Sequence, residues 1–315
     1  MKLSTPILVK SPDLKLNYGS QFFNIGSCFA NNLANKLSYF GFKTQQNPVG
    51  ILFHPFAIEQ FCKWLEAEAI NLDLFVEQNK VWKSLQAHSV VQGETPEDLL
   101  FNLQKAVVET RNYLKTTDTI FITFGTAFVY HHLPTKKYVA NCQKQHSSLF
   151  KKELIEIKAL VEAMQQIIKT LSKFNQANIY ISVSPVRHIK DGLVENNLSK
   201  ANLLAAVHHV IENNTNVDYF PAYEIVMDEL RDYRFYNRDL LHPNELAIDY
   251  VWEKFSIAFF EENALQLMHK VGKYRKLSAH RPLQENKATQ LAHLAKINAF
   301  KQDLLAEEPH LQLDK

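Results

Sequence analysis

Two hydrophobic periods alternate along the chain. Phe22-Phe23-Asn24-Ile25 is a short apolar run that closes at Gly26. After it Ala30, Leu33, Ala34 and Leu37 recur at i, i+3, i+4 and i+7, one face of a helix, and Gly41 suits the position just past its end. The pattern therefore predicts a strand, a sharp turn at Gly26-Ser27 and a helix. Phe42 to Gln46, stopped by Asn47-Pro48, reads as a second strand, and residues 56–70 as a helix. Residues 73–85 alternate around Gln78-Asn79 and predict a hairpin. Thr95-Pro96-Glu97-Asp98 is a helix start, with the helix running to about Lys115. Thr119 to Phe124 and Asn178 to Val183 are continuous β-branched and aromatic runs, the signature of strands buried on both faces. Residues 127–141 read as a second hairpin turning at Leu133-Pro134-Thr135, and Ser148 to Phe174 as one long helix. Helices over 198–213 and 244–260, a strand over 217–220, a short helix over 225–231 and a polar loop over 237–243 complete the pattern.

Strands alternating with helices predict an α/β fold: a doubly wound, mainly parallel five-stranded sheet with helices on both faces. The strands are 22–25, 42–46, 119–124, 178–183 and 217–220, with the two β-hairpins inserted at the mouth. Ligands of such sheets sit beyond the carboxyl ends of the strands, here at Gly26-Ser27, 48–50, Gly125-Thr126, 184–188 and 221–224. The tail from Tyr274 has few aromatics, and 285–306 predicts an amphipathic helix through Leu291, Leu294, Ile297 and Leu304. The expected division is a catalytic-type domain over 1–272 and a helical extension over 273–315. The extension packs on the core or forms a homo-oligomer contact.

Composition narrows the function classes. Lysine plus arginine is 35 and aspartate plus glutamate 33 in 315 residues, a net charge of +2. Bulk charge therefore gives no reason to expect nucleic acid or an anionic membrane as partner. Cys28, Cys62 and Cys142 are too few and too scattered for a disulfide framework or a zinc site. No apolar window reaches membrane-spanning length, and the first fifteen residues lack a signal-peptide core, so the expectation is a cytoplasmic protein without a membrane partner. His131-His132 and His208-His209 are adjacent pairs whose side chains diverge, so no metal is expected.

Ser27 stands between a strand and a helix. A hydroxyl there leaves the sheet near the positive end of the helix dipole, and the amides that follow can hold an oxyanion. Serine is also a favoured N-cap, a purely structural role. Asp239-Leu240-Leu241-His242-Pro243 places a carboxylate and an imidazole three residues apart. The carboxylate can fix the tautomer and leave the other ring nitrogen free as a base, with Pro243 opening the next helix. Chance expectation for this pattern in a chain of this composition is roughly 0.02. Ser, Asp and His in that order, at one edge of a doubly wound sheet, are a set suited to acyl transfer. Cys28 is the rival nucleophile, because a thiol at a helix N-terminus can be acidified. Arg187 and His188 lie on the same rim, where Arg187 can clamp a carboxylate or phosphate or form an ordinary ion pair. Lys200 and Asn202 read as solvated.

Gly26-Ser27-Cys28-Phe29-Ala30 resembles the signature of the GSCFA family. Asn47–Gly50, Phe124–Ala127 with Val129-Tyr130, Val139–Cys142, Ser184–His188 and Asp239–Pro243 resemble further blocks of it, spanning roughly residues 20–260. The family resembles a branch of the SGNH/GDSL hydrolases. The resemblance implies a flavodoxin-like (SGNH-type) sheet, Ser27 as nucleophile, His242 as base and Asp239 as its orienter. The first block departs from Gly-Asp-Ser, and the third has Gly125-Thr126-Ala127 where SGNH enzymes carry Gly-x-Asn-Asp. Asn141 can replace the missing oxyanion asparagine, with the amides of Cys28 and Gly50 as further donors. Gly125, Thr126, Arg187 and His188 complete the oxyanion and substrate-binding set.

The expected function is a serine esterase or deacylase. Its substrate is a small-molecule ester, by superfamily analogy a small acyl group on a sugar or glycan-like metabolite, and it needs no cofactor. An acyltransferase using the same site, a non-catalytic ligand-binding protein and an interaction module working through the C-terminal helix are the competing readings.

Overall fold

The computed structural model describes residues 4–67, 70–280 and 287–314. Strand β1 (Gln21–Gly26) leads into helix α1 (Cys28–Tyr39) and strand β2 (Lys43–Gln46). Helix α2 (Pro55–Ala67) precedes a small antiparallel sheet of β3 (Phe75–Gln78), β4 (Val81–Ser84) and β5 (Gln92–Gly93). Helix α3 (Pro96–Leu114) and strand β6 (Thr119–Phe124) follow. A second antiparallel sheet comprises β7 (Phe128–His132), β8 (Lys137–Val139) and β9 (Phe150–Leu154). Then come α4 (Ile157–Leu171), β10 (Asn178–Val183), α5 (Leu193–Glu212) and β11 (Val217–Tyr219). The short α6 (Ala222–Glu224) runs into a π-turn at Ile225–Leu230, and α7 (Glu245–Phe259), α8 (Glu262–Ala279) and α9 (Lys287–Glu307) end the chain.

The central sheet has the order β11-β10-β6-β1-β2, every neighbouring pair parallel. Counted along the chain this is 2-1-3-4-5, the order of flavodoxin-like sheets. Period-two alternation sends successive residues to opposite faces. Phe23, Ile25, Ile120, Ile122, Ile179 and Ile181 join a core with residues of α2 to α5, whereas Phe22, Phe121 and Tyr180 join a second core with α1, α7 and α8. The second core is aromatic: the Phe121 ring stacks on Tyr180 at 5.3 Å and meets Phe255 edge-on at 5.3 Å. Burial on both faces is why these strands lack a polar alternate.

Several expectations change. The helix expected over 148–174 begins only at Ile157, because Phe150–Leu154 is strand β9, paired with β7 through Phe150↔His132 and Leu154↔Phe128. Its FKKEL sequence has three charged residues in a row and no period of its own, so the pairing with β7 decides its conformation. Pro243 does not open α7: Asn244 is the cap, its side chain accepting from the Ala247 N–H at 3.1 Å. The expected boundary at 272/273 falls inside the unbroken helix α8. Leu304, Leu311 and Leu313 are buried in the same core as the sheet's aromatic face, and the Gln312 N–H donates to the Gly41 carbonyl at 2.8 Å. Leu291 and Leu294, expected on the apolar stripe of the last helix, are 58% and 54% exposed. The expected ends of two helices, at 68–69 and 285–286, lie outside the described residues.

The docked tail gives a stability prediction. Leu311→Ala should cost about 2 kcal/mol in urea denaturation, the low end for a buried leucine because a chain end relaxes into the space left.

Candidate functional site

The switch point of this sheet lies between β1 and β6, where the crossovers leave in opposite directions. Gly26 ends β1 there with φ of +139°. A Cβ on it would lie 2.1 Å from the Thr123 carbonyl oxygen of β6, so glycine alone fits. The Gly26 N–H donates to the Asn47 side chain at 2.8 Å, and the Ser27 N–H to the Thr123 carbonyl at 2.9 Å. Ser27 is the N-cap of α1. Its residue is 1% exposed, and its hydroxyl accepts from the Phe29 N–H at 3.3 Å. Cys28 is the first helical residue, so its N–H is among the amides a helix leaves without an internal carbonyl.

Gly125 packs against this turn from β6: a Cβ there would lie 3.2 Å from the Ser27 Cβ. The Gly125 and Thr126 N–H groups both donate to the Phe53 carbonyl, at 2.7 and 3.1 Å, and the Gly50 N–H donates to Asn47 at 2.7 Å. These three amides are thus already engaged and, as placed, add no donors to the site. Asn141 uses its N–H on Leu85 and its side-chain oxygen on the Gln143 N–H at 2.8 Å. Its carboxamide NH2 is the remaining donor.

Asp239 and His242 form the second half. The Asp239 carboxylate accepts from the Leu241 and His242 N–H groups at 2.9 and 3.1 Å and meets His242 Nδ1 at 2.7 Å. These bonds, the backbone ones foremost, hold its pKa down at about 2, so it stays ionised near neutral pH. Leu240, at φ of +60°, makes the tight turn that allows all three bonds. With Nδ1 bound, Nε2 is the free nitrogen of the imidazole. The Arg187 N–H donates to the Leu241 carbonyl at 3.3 Å and ties this loop to the end of β10. The histidine and carboxylate side chains are about half exposed, and among the described residues no hydrogen bond joins His242 to Ser27.

Lys200 is where the structure departs furthest from expectation. It was expected in solvent, yet it is 1% exposed, and its ammonium donates to the Gly125 and Ser184 carbonyls at 2.6 Å each. Burial pushes its pKa down to about 7. His188 Nε2 also sits 3.0 Å from the Gly125 carbonyl, which fixes that nitrogen as the protonated one, and burial lowers its pKa. Ser199 Oγ accepts from the Ala127 N–H at 2.8 Å, and Asn196 accepts from the His188 N–H at 2.8 Å. One polar face of α5 therefore pins the ends of β6 and β10 behind the serine. The signal was present in the sequence, since Asn196, Ser199, Lys200, Leu203 and Val207 share one helical face whose apolar members must point inward. Burial raises the Cys28 thiol, so it is a poor thiolate at neutral pH.

Lys200→Met should cost about 2–3 kcal/mol of stability by chemical denaturation, because two buried carbonyls lose their donor. The lysine also has a linkage signature. Its folded pKa lies below the unfolded value, so the unfolded chain holds the extra proton. Stability should therefore rise with pH from about 7 toward the ordinary lysine range, and this slope should vanish in Lys200→Met.

No curated protein matches the chain. A model of the GSCFA family matches residues 21–255, from the first residue of β1 to within α7, which takes in the central sheet, the Ser27 turn, Lys200 and the Asp239-His242 loop. By that match over most of its length, the chain belongs to the GSCFA family.

Proposed function

We propose that this protein is an SGNH-like serine hydrolase acting on an ester, with its two small antiparallel sheets as insertions at the mouth of the catalytic domain. The observation that carries the reading is the Asp239-His242 pair: a 2.7 Å bond on Nδ1 orients the ring and leaves Nε2 free as a base, at the rim where Ser27 leaves β1. Nε2 takes the Ser27 proton as Oγ bonds to the acyl carbon. The Cys28 amide and the Asn141 carboxamide hold the oxyanion. The imidazolium then returns its proton to the departing alcohol, and water, activated in the same way, cleaves the acyl-enzyme. The substrate is an intracellular metabolite ester, a small acyl group on a sugar-like alcohol being the superfamily's analogy. An acyltransferase follows the same steps with a bound alcohol in place of water.

One observation favours a second reading, a ligand-binding protein without turnover: Ser27 is buried and its hydroxyl is engaged as a cap. For the Ser27 oxygen to act, the His242 loop must close over it.

Hydrolysis of p-nitrophenyl acetate and butyrate separates the readings. Ser27→Ala and His242→Ala should each lose at least about 100-fold in kcat/KM. Asp239→Asn should lose a similar factor because the carboxamide carries no charge to stabilise the imidazolium and its NH2 can donate to Nδ1 and hold the wrong tautomer. Cys28→Ala keeps the backbone N–H and should retain turnover. Equal background rates in all four variants, with no fluorophosphonate labelling of Ser27, would instead establish the binding protein.

A further inference from the structure

Arg187 is a cation without a counter-ion at the candidate site. It follows β10, and its backbone is bonded to Leu241, one residue before His242. Its side chain is half-buried beside Met227, whose Sδ lies 3.7 Å from Nη2, and beside the Tyr236 ring, 6.0 Å from the guanidinium carbon. Nε is fully covered and has no hydrogen-bond partner. Among the described residues Arg187 makes no ion pair. Two carboxylates of the neighbouring segments have partners of their own. Glu224 takes the Tyr219 hydroxyl at 2.9–3.0 Å, and Asp239 holds His242.

A guanidinium that is half desolvated, with a buried N–H unmet, is costly to keep unless something pairs with it. Buried polar groups without partners are rare enough in folded proteins to need an explanation. The arginine fork matches a carboxylate or phosphate through two parallel N–H bonds, and a thioether and an aromatic ring do not substitute for either. Nothing in the fold requires the charge: Lys200 and Asn196 already fasten the ends of β6 and β10.

We propose that Arg187 is the specificity residue of the site and that the ligand carries an anion, a carboxylate or a phosphate, which the guanidinium holds beside His242. The inference rests on the ester-hydrolase reading for its kinetic form but not for the binding itself. The anion pays the desolvation already built into the pocket, and neutral esters bind without that gain.

Two matched ester pairs test it. Mono-p-nitrophenyl glutarate is compared with p-nitrophenyl valerate, of the same acyl length, and an acetyl ester of glycerol phosphate with glyceryl monoacetate. The wild type should favour at least one anionic member by about 30-fold in kcat/KM, carried by KM. The pair that shows the preference identifies carboxylate or phosphate. The ratio should collapse in Arg187→Met and survive in part in Arg187→Lys, which keeps the charge but loses the fork. A ratio is used because partial misfolding lowers both members equally. Ratios near one in the wild type, or unchanged in Arg187→Met, overturn the inference while leaving a Ser27-dependent esterase standing. If no ester is cleaved, calorimetry with glutarate and with inorganic phosphate decides. Binding to the wild type that disappears in Arg187→Met upholds the anion site without the hydrolase, and no binding of either anion overturns it.

Discussion

The molecule turns on a lack of room at the end of β1. The Gly26 Cα sits so close to the Thr123 carbonyl that no side chain fits between them, and its φ of +139° is one that other residues rarely adopt. Because β1 and β6 stay paired to that last residue, the chain must leave the sheet abruptly, and it enters α1 within one residue. Ser27 is therefore set by the pairing of two central strands and not by a flexible loop. Gly125, at the matching end of β6, is packed closely but less absolutely: a Cβ there would lie 3.2 Å from both the Ser27 Cβ and the Phe53 carbonyl oxygen. The Gly26 turn is a packing requirement of the switch point, and the Cys28 amide, first of the helix and without an internal carbonyl, follows from it.

Holding two strand ends in that position needs more than apolar packing, because strand carboxyl ends leave carbonyls unpaired. Here the Lys200 ammonium meets the Gly125 and Ser184 carbonyls, while the Ser199 hydroxyl and the Asn196 carboxamide oxygen accept from the Ala127 and His188 N–H groups, all from the first half of α5. Burying a lysine is unfavourable, and the downward push on its pKa is that cost expressed as a proton affinity. What offsets it is that two inward carbonyls gain strong donors at once. Loss of the proton need not break the arrangement, since a neutral amine still has two N–H groups for two acceptors. The same helix thus contributes both to the core, through Leu203 and Val207, and to the fixing of the rim.

How far the sequence could be read follows from which forces are local. The five central strands and the helices packed on them were legible because burial on one face or two leaves a period in the residue order. β9 was misread as helix because its strand character depends on a partner some twenty residues upstream, in β7. The glycine turn and the Asp239-His242 pair were legible because each is built from neighbours in sequence. The donors of the site were not. Whether the Gly50, Gly125 and Thr126 amides are free depends on the Asn47 and Phe53 carbonyls, which no pattern of residue types reveals. Lys200 was misplaced by its charge, although its helical face pointed inward, so periodicity was the better guide there than residue type.

The two halves of the site are held with unequal firmness, and this bears on how it works. Ser27 is built into the most constrained point of the fold. His242 sits in an exposed turn held by its bonds to Asp239, by the Asn237 N–H on its own carbonyl at 2.8 Å, by the Tyr236–Pro243 bridge and by the Arg187–Leu241 backbone bond. On the hydrolase reading proposed above, Ser27 as nucleophile and His242 as base would suit a reaction in which ligand binding brings the two together. Arg187 is bonded through its backbone N–H to this turn at Leu241. Its side chain is unpaired, so a ligand that engages it acts on the residue that tethers the base. If both proposals hold, recognition and the approach of His242 to Ser27 become one event, in which binding energy from a remote group of the ligand goes into orientation at the reacting centre.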